Sequence, residues 1–139
     1  MFDSSSKFLI VDDSDVTRKT VKTALSQLGL DNTEEAGDGE AAYEKLEKAA
    51  TTKQFSLVFC DINMPKMDGF QLLEKCRADS DLSTVPFLIV TSETQKDAVI
   101  RAVMQGVSGY IVKPFGVEDL KKKIIETFDK VKHFNAASI

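Results

Sequence analysis

Four short apolar runs in this chain end on residues that can do chemistry. Residues 8–11 (Phe-Leu-Ile-Val) run into Asp12 and Asp13, and residues 57–60 run into Asp61. Residues 87–90 run into Thr91 and Ser92, and residues 109–112 into Lys113. Each group alone has an ordinary reading. Asp12-Asp13 could be a polar helix start, Asp61 a turn carboxylate, Thr91 a turn hydroxyl and Lys113 a surface charge. Short apolar runs of this kind suit parallel strands buried on both faces, and ligands of open α/β sheets sit just beyond the carboxyl ends. Three carboxylates, a hydroxyl and an ammonium then gather at one crevice by topology alone. Their joint placement favours function over four separate coincidences.

Their charges narrow the chemistry. Carboxylates crowded within a few Å raise one another's pKa unless a cation relieves them. An all-oxygen site with few protein ligands suits Mg²⁺, with Mn²⁺ as a substitute, and leaves positions open for water or phosphate. With no His or Cys in such a set, zinc is a poor fit. Lys113 adds a positive charge that a simple cation site does not need, but that an anion beside the metal would use. Thr91 could donate a hydrogen bond to the same anion. A carboxylate nucleophile, Mg²⁺, a hydroxyl donor and a lysine together suit transfer of a phosphoryl group onto Asp61.

The elements between these points must be strands and helices in alternation. Val16, Val21, Ala24, Leu25 and Leu28 recur at helical spacing, with Ser14 or Asp15 as cap and Gly29 at the stop. Residues 33–36 form a weak second strand, and Asp38, inside Gly37-Asp38-Gly39, can cap a helix carrying Ala42, Leu46 and Ala49. Asp68 and Gln71 have capping-box spacing before Phe70, Leu73 and Cys76. A fourth helix is expected at about 96–105, stopped by Gly106. The last carries Val117, Leu120, Ile124, Phe128 and Val131 on one face, with Glu118 and Asp119 in its first turn. Five strand–helix units predict a doubly wound parallel sheet with helices on both faces.

Composition is consistent with this. One domain is expected for 139 residues, with a core over about 7–131, a short C-terminal tail and no output domain. The 42% hydrophobic content suffices for a real core, and a net charge of −4 disfavours general nucleic-acid binding. No apolar run approaches the ~20 residues of a membrane helix, and residues 1–7 do not read as a secretory signal. A cytoplasmic protein is expected. Cys60 and Cys76 match no metal or redox spacing, and the single His133 has no ligand partners around it.

At the level of motifs the chain resembles the response-regulator receiver domains, in particular their chemotaxis members. The resemblance runs over about residues 7–128. Its carriers are residues 8–14 (Phe-Leu-Ile-Val-Asp-Asp-Ser), Arg18, residues 61–69 (Asp-Ile-Asn-Met-Pro-Lys-Met-Asp-Gly), residues 90–92 (Val-Thr-Ser) and residues 109–115 (Gly-Tyr-Ile-Val-Lys-Pro-Phe). It implies a flavodoxin-like sheet of order 2-1-3-4-5 with five helices. It also implies that Asp61 accepts a phosphoryl group from a sensor histidine kinase. Asp12, Asp13, Asp61 and the backbone carbonyl of Asn63 would hold Mg²⁺, and Lys113 would contact the phosphoryl oxygens. The Lys113-Pro114 bond would be cis. Thr91 would move toward the phosphate and Tyr110 inward with it, while Asn63 and Glu93 would flank the site and tune dephosphorylation. The implied role is a phosphorylation switch rather than a conventional enzyme, acting as a monomer on a partner such as the flagellar motor switch, with a phosphatase as a further partner.

A switch needs a surface that is read. In the fourth helix Val99 and Val103 form one apolar i, i+4 pair, and Ile100 and Met104 another. The core needs one stripe. The other could face a partner beside Tyr110, with Lys96 and Lys123 at its rim; a broad buried face is the alternative. Lys121-Lys122-Lys123 reads as a solvated helix face. Other readings are a phosphorelay intermediate or phosphate sink, a haloacid-dehalogenase-like phosphohydrolase built on residues 13–17, and a flavin-binding electron carrier. The second leaves Asp61 unexplained, and the acidic crevice opposes the third.

Overall fold

A computed structural model describes the backbone of residues 2–92 and 96–137, with side chains except at 96, 98, 99, 102 and 130–137. Glu93 and the side chains of Lys96, Val99 and His133 therefore lie outside the described residues. Among the described residues five strands alternate with five helices: β1 (Phe8–Val11), α1 (Asp15–Gln27), β2 (Thr33–Ala36), α2 (Gly39–Ala50), β3 (Leu57–Asp61), α3 (Gly69–Ala78), β4 (Phe87–Ser92), α4 (Lys96–Met104), β5 (Gly109–Lys113) and α5 (Val117–Ala137). The strands form one parallel sheet in the order β2-β1-β3-β4-β5.

Strand alternation divides the core in two. Leu9, Val11, Val58, Cys60, Phe87 and Ile89 face α2 and α3, where Ala42, Leu46, Leu73 and Cys76 are buried. Phe8, Ile10, Leu57, Phe59, Leu88 and Val90 face α1 and α5, where Val21, Ala24, Leu25, Leu120 and Ile124 are buried. Truncating a fully buried residue such as Leu46 to Ala would cost about 2–5 kcal/mol.

Local chemistry sets the helix ends. Ser14, not Asp15, is the N-cap of α1, and its side chain accepts from Thr17 N. Leu30 N donates to Leu25 O across Gly29, whose φ of +78° is the left-handed stop that glycine adopts without penalty. Asp38 caps α2 through Ala41 N, and the Asp68–Gln71 capping box is complete on α3.

Three strands run further than hydrophobicity predicts. β3 includes Asp61, β4 includes Thr91 and Ser92, and β5 includes Lys113. The ladder continues through the pairs Asp61–Val90, Thr91–Val112 and Ser92–Lys113, because backbone pairing does not depend on what the side chain is. Val16 is 77% exposed rather than on the α1 core stripe. It precedes Val21 by five residues, which turns it about 140° away. The backbone of α5 is helical through Ala137, into the segment expected as a tail.

Candidate functional site

The topology brings the chemistry together at one point. From β1 the chain moves outward to β2, then returns past β1 to β3. Neighbouring crossovers thus leave on opposite faces, which opens a crevice at the carboxyl ends of β1 and β3. Val11 pairs with Cys60 in that register, so Asp12 and Asp61 come next, side by side. Both are buried, at 2% and 6% exposure, while Asp13 is exposed. One carboxylate oxygen from each of Asp12, Asp13 and Asp61 lies within 4.8 Å of the others.

Lys113 reaches this cluster from the end of β5. Its Nζ lies 3.3 Å from Asp61 Oδ2 and 3.4 Å from Asp12 Oδ2. Ser14 N donates to Asp12 Oδ1 at 2.9 Å, so the turn into α1 also orients that carboxylate. Burial pushes the Asp61 carboxyl above its ordinary range, and the negative charge of Asp12 adds to this. Lys113 and the backbone N–H of Asn63, which donates to the Asp61 carboxylate, pull the other way without cancelling it. Asp61 is therefore a buried acid beside a second carboxylate, held short of full relief by one lysine. The three carboxylates, with no nitrogen or sulfur donor among them, fit a hard divalent ion such as Mg²⁺.

The loop after Asp61 is tightly determined. Gly69 N donates to Ile62 O at 2.8 Å. A Cβ at Gly69 would lie 2.3 Å from Asp61 O and 2.8 Å from Ile62 Cα, so only glycine lets the start of α3 approach the end of β3. Thr91, at the end of β4, is 1% exposed, and the Lys113-Pro114 peptide bond is cis.

The chain matches the family described as "Response regulator receiver domain" over residues 8–125. This chain is a response-regulator receiver domain. It is 43% identical to chemotaxis protein CheY-3 of Vibrio cholerae serotype O1 over 125 residues, 90% of this chain and 93% of that one. Chemotaxis protein CheY of Pseudomonas aeruginosa is also 43% identical, over 90% of this chain and 98% of its own. Among solved structures, the receiver resembles the chemotaxis response regulator CheY4 of Vibrio cholerae with a TM-score of 0.76 at 34% identity, covering 88% of this chain and 98% of that one. The sheet order and the cis bond expected from the resemblance are both present in this receiver.

The outer face carries the other sequence candidates. Ile100, Val103 and Met104 on α4 are 60%, 56% and 84% exposed, and Tyr110 on β5 is 41% exposed. The Val103 member of one apolar pair and both members of the other thus face solvent, so the broad buried face is not what forms. Lys123 Nζ stands 5.8 Å from the centroid of the Tyr110 ring. Sequence reasoning gave Arg18 no role. Its guanidinium donates to the Asp12 carbonyl and also meets Asp15 and Glu35, bracing the turn that carries Asp12 and Asp13. The close approaches at Gly69 and Gly39 were also missed; their only sequence signal was glycine directly after a capping Asp. Among the described residues no helix is long and apolar enough to cross a membrane.

Proposed function

We propose that this receiver is a phosphorylation-driven switch in which Asp61 accepts a phosphoryl group from a phosphohistidine of a sensor histidine kinase. The observation that carries the proposal is Lys113 standing between the buried carboxylates of Asp61 and Asp12, beside Asp13. An Asp61 carboxylate oxygen attacks phosphorus. A P–O bond forms, the P–N bond breaks, and the electron pair returns to the imidazole, which takes up a proton. Asp12, Asp13, Asp61 and the backbone carbonyl of Asn63 would hold Mg²⁺. Bound there, the ion neutralises charge on the transferring phosphoryl oxygens.

This chain's own residues do the rest. Lys113 leaves its pairing with the carboxylates to meet the phosphoryl oxygens. Thr91 donates its hydroxyl to them, and Asn63 and Glu93 tune the lifetime of the phosphorylated state. Because Thr91 and Lys113 bind the phosphoryl group better in one arrangement, its arrival shifts the population toward that state. Tyr110 on the neighbouring strand reports the shift.

The exposed apolar side chains of α4, with Tyr110 and Lys123, support output by docking to a partner protein over a phosphate sink or relay. Given the chemotaxis relatives, that partner is the flagellar motor switch, the donor is the chemotaxis kinase, and the setting is the cytoplasm. Kinase labelling of wild type and Asp61→Ala tests the reading. Label is expected on wild type alone; persistent label on the variant sinks it. Hydrolysis of a generic phosphate ester is expected to be absent, and turnover would favour a phosphohydrolase.

A further inference from the structure

The loop that carries Asn63 leans on an element that contributes nothing else to the site. Gly39, the first residue of α2, donates its N–H to the carbonyl of Met67 at 3.2 Å. A Cβ at Gly39 would lie 2.4 Å from Met67 O, 2.7 Å from Met67 Cβ and 3.0 Å from Met67 C. Most of that contact is backbone, which cannot rotate away. Next to it, Lys66 has a φ of +65°, an uncommon left-handed conformation for a residue with a side chain. Its Nζ lies 3.7 Å from Asp38 Oδ2, while Asp38 Oδ1 caps α2 through Ala41 N at 2.8 Å.

We infer that the N-terminus of α2 is a positioning element for the phosphoacceptor loop, with Gly39 as its central residue. The inference rests on the phosphoacceptor reading above and deepens it. The loop is short and closed at its sheet end by the Gly69–Ile62 hydrogen bond. Its outer half has α2 as its seat, through Gly39 against Met67 and Asp38 against Lys66. Pushing Met67 outward must move residues 63–66, because the other end cannot follow. The carbonyl of Asn63, offered to the ion, then no longer converges with Asp12, Asp13 and Asp61. A helix outside the site thereby sets the affinity of the site for its metal.

The test is Mg²⁺ titration of the full chain by calorimetry, with Gly39→Ala compared to wild type and NMR amide shifts recorded without metal. Gly39→Ala should weaken Mg²⁺ binding about tenfold, the effect typical of residues that orient metal ligands. Labelling by a phosphodonor should recover at saturating Mg²⁺, since the reacting groups remain. The metal-free amide shifts should include Asn63. Mg²⁺ affinity within twofold of wild type, with a lowered melting temperature, would overturn the inference and leave Gly39 as packing alone. If Gly39→Ala does not fold, Lys66→Asn retains a side chain that tolerates the left-handed backbone and removes the ammonium that meets Asp38. It should weaken Mg²⁺ by about twofold to fivefold, below the range for direct orienting partners, and unchanged affinity overturns the inference. Wild type that neither binds Mg²⁺ nor takes label fails the phosphoacceptor reading instead, while metal-free shifts at Asn63 in Gly39→Ala still report the seating.

Discussion

Lys113 Nζ lies 3.3 Å from Asp61 Oδ2, and the carboxylate it meets is buried. The same ammonium lies 3.4 Å from Asp12, so one cation serves two carboxylates. Removing it leaves both facing each other, with the backbone N–H groups of Ser14 and Asn63 as remaining donors. Lys113→Met should lower stability at pH 7, in chelator, by at least about 1–3 kcal/mol, the usual cost of a buried acceptor left without its donor. Urea denaturation at pH 7 and pH 4 checks this. The loss should shrink at pH 4, where Asp61, raised above its ordinary range by burial, begins to take up a proton, and shrink again at pH 7 with saturating Mg²⁺.

Asp61 itself should be destabilising when metal is absent. Its carboxyl is raised above the ordinary 3.8 by burial first and by Asp12 second. The folded state then holds a proton that the unfolded state has released. The contribution of Asp61 to stability is greatest below 3.8 and falls as pH rises from there through the folded value. Asp61→Asn escapes that fall. Its melting temperature at pH 7 in chelator should exceed that of wild type. The difference should close near pH 3 and reverse at pH 7 when Mg²⁺ is added. A variant less stable than wild type in chelator contradicts the prediction.

Much of this was legible in the sequence, for physical reasons. Capping is local: Ser14, Asp38 and the Asp68–Gln71 pair bond to backbone within three residues, so spacing alone reveals them. Apolar runs located four of the five strands because both sheet faces are covered there, whereas β2, Thr-Glu-Glu-Ala, is polar and read only as a weak strand. Strand ends were less legible, since Asp61, Thr91 and Lys113 continue the ladder while looking like loop residues. Val16 misled because an apolar residue near a stripe is indistinguishable from one on it until the rotation is counted. Contacts between distant segments, Gly39 on Met67 and Gly69 on Asp61, leave no periodic trace at all.

Two glycines separate close approach from backbone conformation. At Gly69 a Cβ would meet Asp61 O at 2.3 Å, whereas at Gly106 the surrounding space is open and only φ, at +77°, is unusual. Gly69→Ala should cost about 1–3 kcal/mol, as overpacking does, and should also impair labelling of Asp61. Gly106→Ala should cost about 1 kcal/mol from its left-handed backbone and leave labelling intact. Denaturation midpoints and labelling rates on both variants decide this, and equal labelling defects would contradict it.

The thiols should be inert. Cys60 and Cys76 are 0% exposed. Burial raises both thiols, Cys76 to about 12 and Cys60 well above its usual range. Neither supplies thiolate at neutral pH. Iodoacetamide at pH 8 should leave the folded protein unmodified and alkylate both cysteines in urea. Rapid modification without urea would show that the β3 and α3 packing opens readily.

The outer face of α4 should separate binding from folding. Ile100 and Met104 are 60% and 84% exposed, and Tyr110 on β5 is 41% exposed with Lys123 beside its ring. A buried residue such as Leu120 cannot be changed without loss of core packing, but Ile100 and Met104 have little packing to lose. The double variant Ile100→Ser, Met104→Ser should therefore keep its stability within about 0.5 kcal/mol, the usual range for surface substitutions. Asp61 labelling should also be unchanged, because neither side chain is in the site. If a partner covers this face, each apolar side chain buried there contributes about 1.5–3 kcal/mol. Affinity of the phosphorylated protein for the proposed partner, the flagellar switch protein, should then fall by at least about tenfold, which is 1.4 kcal/mol. Calorimetry of that pair against the phosphorylated double variant is the measurement. Unchanged affinity would move the output surface away from α4, and lost labelling would mean that α4 helps shape the site itself.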